Sequence, residues 1–579
     1  MAAASSVHEV WRFVARYRVR YAAGLACLAA GTGLSLAIPW TVKHAVDALQ
    51  TDAASAPLGG YVGLILLCAV GNGVARLASR FAIAGASQHV AADVLGALYA
   101  AIQTFPPAVF ARYGTGELMA RATSDVSAIR SLVGFGAISG VSTALAFVGA
   151  LAAMVAVDPW LTLWAMAPAP VLVLLARRFN TALTARTHAM QDRLGELSTL
   201  VQERLAGIAV VRAYTMEARA AAEFAAANGA LRDASTELAR TQAHFTPLMG
   251  LVTGVGTLIV LWAGGSAVAA GRLSLGALVA FTGYLGYLAW PTIALGFTLS
   301  LARRGLTSMA RIRQVLDEAR PAPAAPAGDA VPLAPSIRFA GLTFAYDGRA
   351  PVLRDVAFDV RPGEMVAVVG PTGSGKSTLG LVLARLWEPP PGTVFVGGAD
   401  VTTLPLGRLR ATLAWVPQDA FLFSRAILDN VTLGREAVEA AAARRAGGAA
   451  GVAEEIAGLA RGWDTVVGER GLTLSGGQRQ RVALARAIAG APPILVLDDV
   501  FANVDAAKEA EILAGLRLAA PTILLMTHRL RAAQGADRIV VLDEGRVVES
   551  GTHAELLAHE GLYARLWRMQ RLEEEISRA

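Results

Sequence analysis

Lysine is nearly missing from this chain: three occur in 579 residues, at 43, 376 and 508, and arginine supplies the remaining positive charge. Charged residues of both signs make up only 17% against 54% hydrophobic, which excludes an ordinary soluble protein. Cysteine is almost absent as well. Cys27 and Cys68 fall inside apolar stretches, so neither a structural disulfide nor a metal cluster is expected. A cleavable signal pattern is also lacking at the N-terminus. Residues 7–20 instead interleave Trp11, Phe13 and Tyr17 with Arg12, Arg16, Arg18 and Arg20, which predicts an amphipathic helix on the inner membrane face.

The apolar residues are unevenly placed. Six stretches, near 21–42, 59–75, 135–157, 159–176, 246–270 and 275–301, approach or exceed the length needed to cross a bilayer. The stretch between the second and third carries Arg76, Arg80, Arg112, Arg121 and Arg130, and nine arginines lie between the fourth and fifth. The alternate connections hold almost none, so these loops and both termini are expected to be cytoplasmic; the alanine- and arginine-rich composition suggests a GC-rich bacterial genome, and hence a bacterial inner membrane. The net charge of +7 thus reports topology, and no nucleic-acid partner is expected. Ionisable residues are scarce within the spans, which argues against a proton-coupled carrier and for apolar or amphipathic cargo. Trp290-Pro291 in the last span reads either as a hinge or as a packing kink.

The inner connections have helical composition and should extend the spans into the cytoplasm. Two breaks interrupt them, at 113–118, which includes Gly116 and Glu117, and near 207–214. Each is either a mechanical contact for another domain or a simple hairpin turn. A Pro/Ala-rich linker at 319–335 separates the membrane half, 1–318, from an α/β half, 336–579. In that second half, 337–339 and 342–346 read as edge strands, and Tyr346 as an exposed aromatic able to stack on a base.

The α/β half is organised around Gly370-Pro371-Thr372-Gly373-Ser374-Gly375-Lys376-Ser377-Thr378, a phosphate loop set between a β-branched strand and a helix. Its glycines let backbone N–H groups converge on phosphates at a helix N-terminus. Lys376 is placed for the β- and γ-phosphates and Ser377 for Mg²⁺. A chain that otherwise chooses arginine has kept lysine here, where a compact point charge enters a phosphate nest better than a planar fork. The apolar strand ending in Asp498 and Asp499 supplies a second Mg²⁺ ligand, Asp498, and a carboxylate, Asp499, facing attacking water. Leu474-Ser475-Gly476-Gly477-Gln478 then opens a helix and makes a second anion site. One nucleotide needs a single phosphate loop, so the second site implies a nucleotide shared between two domains. With one copy of each element, the chain must pair with another.

These three elements, in this order behind six spans, resemble an ABC exporter half-transporter. The resemblance implies ATP and Mg²⁺ as cofactors and ATP hydrolysis coupled to transport across the lipid bilayer. It also implies that Gln418 is the glutamine that senses Mg²⁺, that His528 is the switch histidine on the γ-phosphate, and that Tyr346 stacks on adenine. The residues from Leu474 to Gln478 would complete the opposite ATP site, with Asp505 in a cross-dimer loop. Glu469 and Arg470 lie in the exporter loop that meets the helical tips, and the breaks at 113–118 and 207–214 become coupling helices. Small hydrophobic or amphipathic compounds, such as drugs, lipids or peptides, are the implied cargo. Import by the same architecture and an ATP-gated channel are alternatives.

One departure stands out. The family has glutamate after the magnesium-binding aspartate, and this chain has Asp499, one methylene shorter; Ala502-Asn503-Val504-Asp505 departs from the usual Ser-Ala-Leu-Asp as well. A catalytic carboxylate withdrawn by about 1 Å can lose roughly a hundredfold in rate. The resemblance is therefore to the degenerate-site subunit of heterodimeric multidrug-type exporters, paired with a second, different half-transporter. A homodimer in which Asp499 is catalytic is the alternative.

Overall fold

The computed structural model describes residues 2–51, 57–319, 333–435, 438–468, 471, 473–501 and 506–578. The chain divides into two compact units, Met1–Gln103 with Gly114–Ala319, and Thr104–Tyr113 with Arg320–Ala579. Most of the expected linker lies outside the described residues.

The first unit is helical throughout. Ala2–Val14 and a 3₁₀ turn lead into Arg18–Thr51, which packs along Leu58–Gln103. Leu66, Leu67, Val70 and Val74 on the latter are each more than half exposed, an apolar face suited to lipid. By length and composition, Ser6–Thr51, Leu58–Gln103 and Arg112–Val157 can each cross a membrane, and Gly254–Ala269 and Leu275–Leu288 are shorter apolar helices. The fourth expected span is broken. Pro159–Met166, capped by Asp158 on the Leu161 N–H at 2.9 Å, ends before Ala169–Ala206, because Pro168 has no N–H to continue the ladder. Pro291, in contrast, lies inside Leu275–Asp317 without ending it.

The first break, expected at 113–118, is a kink there with a second stop ahead of it. Pro106 and Pro107 stop the preceding helix, a short helical piece follows, and the chain kinks at Gly114, where φ is +67°. Gly116 and Glu117 belong to the helix beyond that kink. The second break is a six-residue helix, Ile208–Ala213, between Ala169–Ala206 and Glu217–Ala269.

Polar contacts fasten the last helix of this unit at both ends. Near its start, Asp47 accepts the Gly276 N–H and the Ser274 hydroxyl, each at 3.0 Å. A Cβ on Gly276 would stand 2.2 Å from the Lys43 carbonyl oxygen, so only glycine fits there. Towards its other end, buried Asp125 accepts from Ser308 Oγ at 2.9 Å and from two guanidinium nitrogens of Arg311. Arg121, also buried, donates to the Arg311 carbonyl at 2.6 Å and to Glu117 Oε1 at 2.5 Å.

The second unit holds two sheets. Strands β1 (Ile337–Phe344), β2 (Leu353–Val360), β4 (Val394–Val396) and β5 (Ala399–Asp400) form an antiparallel sheet in the order β2-β1-β4-β5. The two expected edge strands are thus one interior strand, paired on both sides and interrupted by register shifts around Gly341 rather than by a loop. The larger sheet runs β10 (Arg546–Gly551), β9 (Arg538–Asp543), β3 (Met365–Val369), β8 (Thr522–Met526), β7 (Ile494–Asp498), β6 (Leu413–Val416). Its strands are parallel except β10. Every residue of β3, β7 and β8 is buried, as befits continuous apolar strands covered on both faces.

Candidate functional site

Strand order places the chemistry. β8 lies between β3 and β7, with Met526 opposite both Val368 and Asp498. The loops leaving the carboxyl ends of β3, β8, β7 and β6 therefore stand in one row, carrying the phosphate loop, His528, Asp499 and Gln418 respectively. Ligands of open parallel sheets bind in the crevice outside such carboxyl ends.

The phosphate loop leaves β3 at Gly370, where φ is +155° and a Cβ would lie 2.0 Å from the Leu542 carbonyl oxygen. It enters the helix Lys376–Leu383 through Gly375, also at positive φ. Lys376 Nζ donates back to the carbonyls of Gly370 and Pro371 at 2.9 and 2.8 Å, and lies 3.4 Å from Ser374 Oγ. Burial pulls its pKa below the usual lysine value, and the charges of Asp499 and Asp498 oppose that fall. The Ser377 hydroxyl donates to Asp498 Oδ1 at 2.9 Å. Thr378 Oγ1 meets the Tyr346 hydroxyl at 3.0 Å. Tyr346 is half-buried rather than exposed, edge-on to Phe344 and Trp387.

Burial pushes Asp498 up to about 6, and repulsion from Asp499 adds to this against the Ser377 hydrogen bond and Lys376. A cation beside this buried carboxylate would favour its charged form over the protonated one. Among the described residues no group of three or more His, Cys, Asp or Glu is gathered to hold a metal by itself. Ser377 and Asp498 together fit a Mg²⁺ that takes its remaining oxygens from phosphates and water.

Asp499 bonds to the loop after β8. Its backbone is left-handed, φ +49°, a conformation that aspartate tolerates better than longer side chains do, and its N–H donates to Met526 O at 2.8 Å. The carboxylate accepts from Thr527 Oγ1 at 3.2 Å and sits 2.8 Å from His528 Nδ1. Gln418 is exposed beyond β6.

Ser475 and Gln478 bond to each other in a capping box, with Ser475 Oγ accepting the Gln478 N–H at 3.2 Å and Gln478 Oε1 accepting the Ser475 N–H at 2.9 Å. That reciprocal cap starts the helix Gly476–Ile488 with Leu474 buried just ahead of it. Glu469, Arg470 and Asp505 lie outside the described residues.

Sequence reasoning passed over three residues. Thr527 donates to Asp499 and accepts the Arg529 N–H at 3.0 Å. Gln480, buried, donates through Nε2 to the Pro417 carbonyl at 3.0 Å, tying the Gly476–Ile488 helix to the residue before Gln418. Gln570 reaches the His528 loop from the C-terminal helix. A glutamine among the apolar residues of the Gly476–Ile488 helix is a readable signal for Gln480; nothing local marks Gln570.

A helical membrane unit followed by a phosphate-loop α/β domain with a Ser-Gly-Gly helix start is the architecture of a nucleotide-driven membrane transporter. Comparison with known proteins makes this specific. Residues 21–292 match the ABC transporter transmembrane region and residues 353–502 the ABC transporter domain. The chain is 32% identical over 574 residues to a probable multidrug resistance ABC transporter ATP-binding/permease protein, YheI, of Bacillus subtilis, covering 97% of each. It is likewise 32% identical over 571 residues to the multidrug resistance-like ATP-binding protein MdlA of Escherichia coli, covering 97% of this chain and 96% of that one. Among solved structures, a bacterial Atm1-family ABC exporter with ATP bound superposes with a TM-score of 0.77 at 29% identity, covering 96% of this chain and 98% of that one. The chain belongs to the ABC transporter family, as an exporter half-transporter with its ATPase domain fused behind its membrane domain. Such a chain binds ATP, couples its hydrolysis to transport, and acts as a dimer.

Proposed function

We propose that this chain is the weak-site subunit of a heterodimeric multidrug-type exporter of hydrophobic or amphipathic compounds. The observation that carries the reading is Asp499, an aspartate where the family has glutamate, beside an intact Ser475 to Gln478 signature. Its own site holds ATP and turns it over slowly; its signature completes a competent site on a different partner.

At the site, Lys376 and the loop N–H groups grip the phosphates, Tyr346 takes the adenine, and His528 meets the γ-phosphate. Ser377 and Asp498 would hold Mg²⁺, with Gln418 beside them. The ion, when bound with ATP, neutralises phosphate charge. Asp499 orients attacking water from too far back, because its carboxylate is a methylene short and already engaged by Thr527 and His528. The membrane unit crosses six times with both termini inside. ATP favours the closed dimer because both halves contact it there, and that difference in affinity drives the change in access. The breaks at 113–118, with Gly116 and Glu117, and near 207–214, together with Glu469 and Arg470, carry the motion, and Asp505 serves the cross-dimer contact.

Purification from native membranes through a tag on this chain tests the reading. A second, different half-transporter at a one-to-one ratio supports it. A homodimer with full ATPase activity sinks it, and the Asp499–His528 contact would then be a working catalytic pair.

A further inference from the structure

We propose that Gln570, on the C-terminal helix Leu562–Arg578, is a positioning residue for His528. Its Nε2 donates to the His528 carbonyl oxygen at 2.5 Å, and its Oε1 accepts the Leu530 N–H at 2.9 Å. One side-chain amide thus grips the switch loop on both sides of Arg529.

Only an amide can do this. A carbonyl demands a donor and an N–H an acceptor, so glutamate would fail at the first and any apolar residue at both. Asparagine, a bond shorter, would fall about 1.5 Å short of the loop. Together with Thr527 Oγ1 on the Arg529 N–H, the clamp fixes three successive backbone groups of the loop. His528 is itself half-exposed, and Asp499 is the carboxylate paired with its Nδ1. The loop backbone, rather than burial of the ring, therefore decides where the imidazole stands.

The helix that carries Gln570 is anchored independently. Glu549 accepts the N–H groups of Leu562 and Tyr563 at 2.5 and 3.2 Å, and the fully buried Tyr563 meets His553 Nδ1 through its hydroxyl at 2.7 Å. Gln570 stands two turns further on. A shift of this helix is transmitted through two hydrogen bonds to the spacing between His528 and Asp499.

The inference rests on the reading of His528 as the group that meets the γ-phosphate, and its test separates the two. The intact complex in nanodiscs is photolabelled with azido-ATP carrying label on either the α- or the γ-phosphate. The γ-to-α ratio recovered on this chain reports hydrolysis at its own site. Gln570→Leu and Gln570→Glu should slow that hydrolysis by roughly tenfold or more, with half-saturation by ATP changed less than about twofold. Neither should slow a His528→Ala complex further, and Met569→Ala, an exposed neighbour, should match the parent. Parent-like hydrolysis in both Gln570 variants beside an impaired His528→Ala overturns the clamp alone. Equal losses of binding and hydrolysis also overturn it, since they mark a merely structural role. If His528→Ala hydrolyses like the parent, the underlying reading of the histidine falls and the clamp with it.

Discussion

Oδ2 of Asp499 lies 2.8 Å from Nδ1 of His528, with Thr527 Oγ1 on the other carboxylate oxygen at 3.2 Å. The shortened carboxylate is therefore held by its neighbours on the β8 loop rather than free to reach forward. Lengthening it should extend its reach. Asp499→Glu is expected to raise hydrolysis at this chain's site by about ten- to a hundredfold, and Asp499→Asn to abolish it. Glutamate is less at ease at φ +49°, so Asp499→Glu should also melt slightly lower. A rate unchanged by the extra methylene would show that reach is not what limits this site.

Acid should weaken magnesium-dependent nucleotide binding. Asp498 titrates at about 6 before any cation arrives, so below that pH a proton competes for the oxygens that hold Mg²⁺. Affinity for Mg·ATP should fall about tenfold per pH unit below 6 and level off above 7. Folding has the opposite sign. The native chain holds this proton more tightly than the unfolded one, so Asp498 contributes stability below about pH 4 that is lost as the pH rises through 6. Calorimetric titration of Mg·ATP across this range checks the first statement; pH-independent affinity would contradict it.

The buried cluster around Asp125 should matter more than exposed ion pairs do. Asp125→Ala strips partners from Ser308 and Arg311, and breaking a buried pair costs about 3–5 kcal/mol. Arg311 is half-exposed and solvent will screen it, so a loss near the lower end is expected, read as a fall in melting temperature of the purified transporter. Asp125→Asn, which can still accept from Ser308, should lose less. Equal melting of Asp125→Ala and the parent would refute the assignment.

Two glycines of similar appearance should respond oppositely. Gly276→Ala drives a methyl group against the Lys43 carbonyl and the Asp47 carboxylate, and should destabilise the membrane unit strongly. A Cβ at Gly265 meets nothing within 4 Å, so Gly265→Ala should gain about 0.5–1 kcal/mol from helix propensity alone. Thermal unfolding in detergent compares the two directly.

Much of the site could be read in one dimension because its parts are local. A phosphate loop is nine consecutive residues, and the acidic strand announces itself by four apolar residues ending in Asp498. What escaped was the bonding between distant parts of the same chain: Gln570 meets a loop 42 residues away, and Gln480 a carbonyl 63 residues away. The break expected at 113–118 is met by the kink at Gly114, while the earlier stop needs a different signal, the prolines at 106 and 107 that end the helix ahead of it. β1 was divided in two because register shifts around Gly341 look in sequence like the end of a strand. Tyr346 reads as exposed because a hydroxyl partner on the following helix leaves no trace in local pattern.

Lys376 folds its ammonium onto the carbonyl oxygens of its own loop, in surroundings that weaken its hold on the proton. Only Lys43 and Lys508 share its side-chain amine chemistry, so acylation at this residue is read on a peptide of its own. Phosphate entering the loop would claim the same nitrogen and shield it. Peptide mapping after brief treatment with an amine-reactive ester therefore counts filled loops directly: each nucleotide bound at this site removes one acyl group from one known peptide. The poverty in lysine, an oddity of composition, gives the transporter an occupancy gauge at a single address.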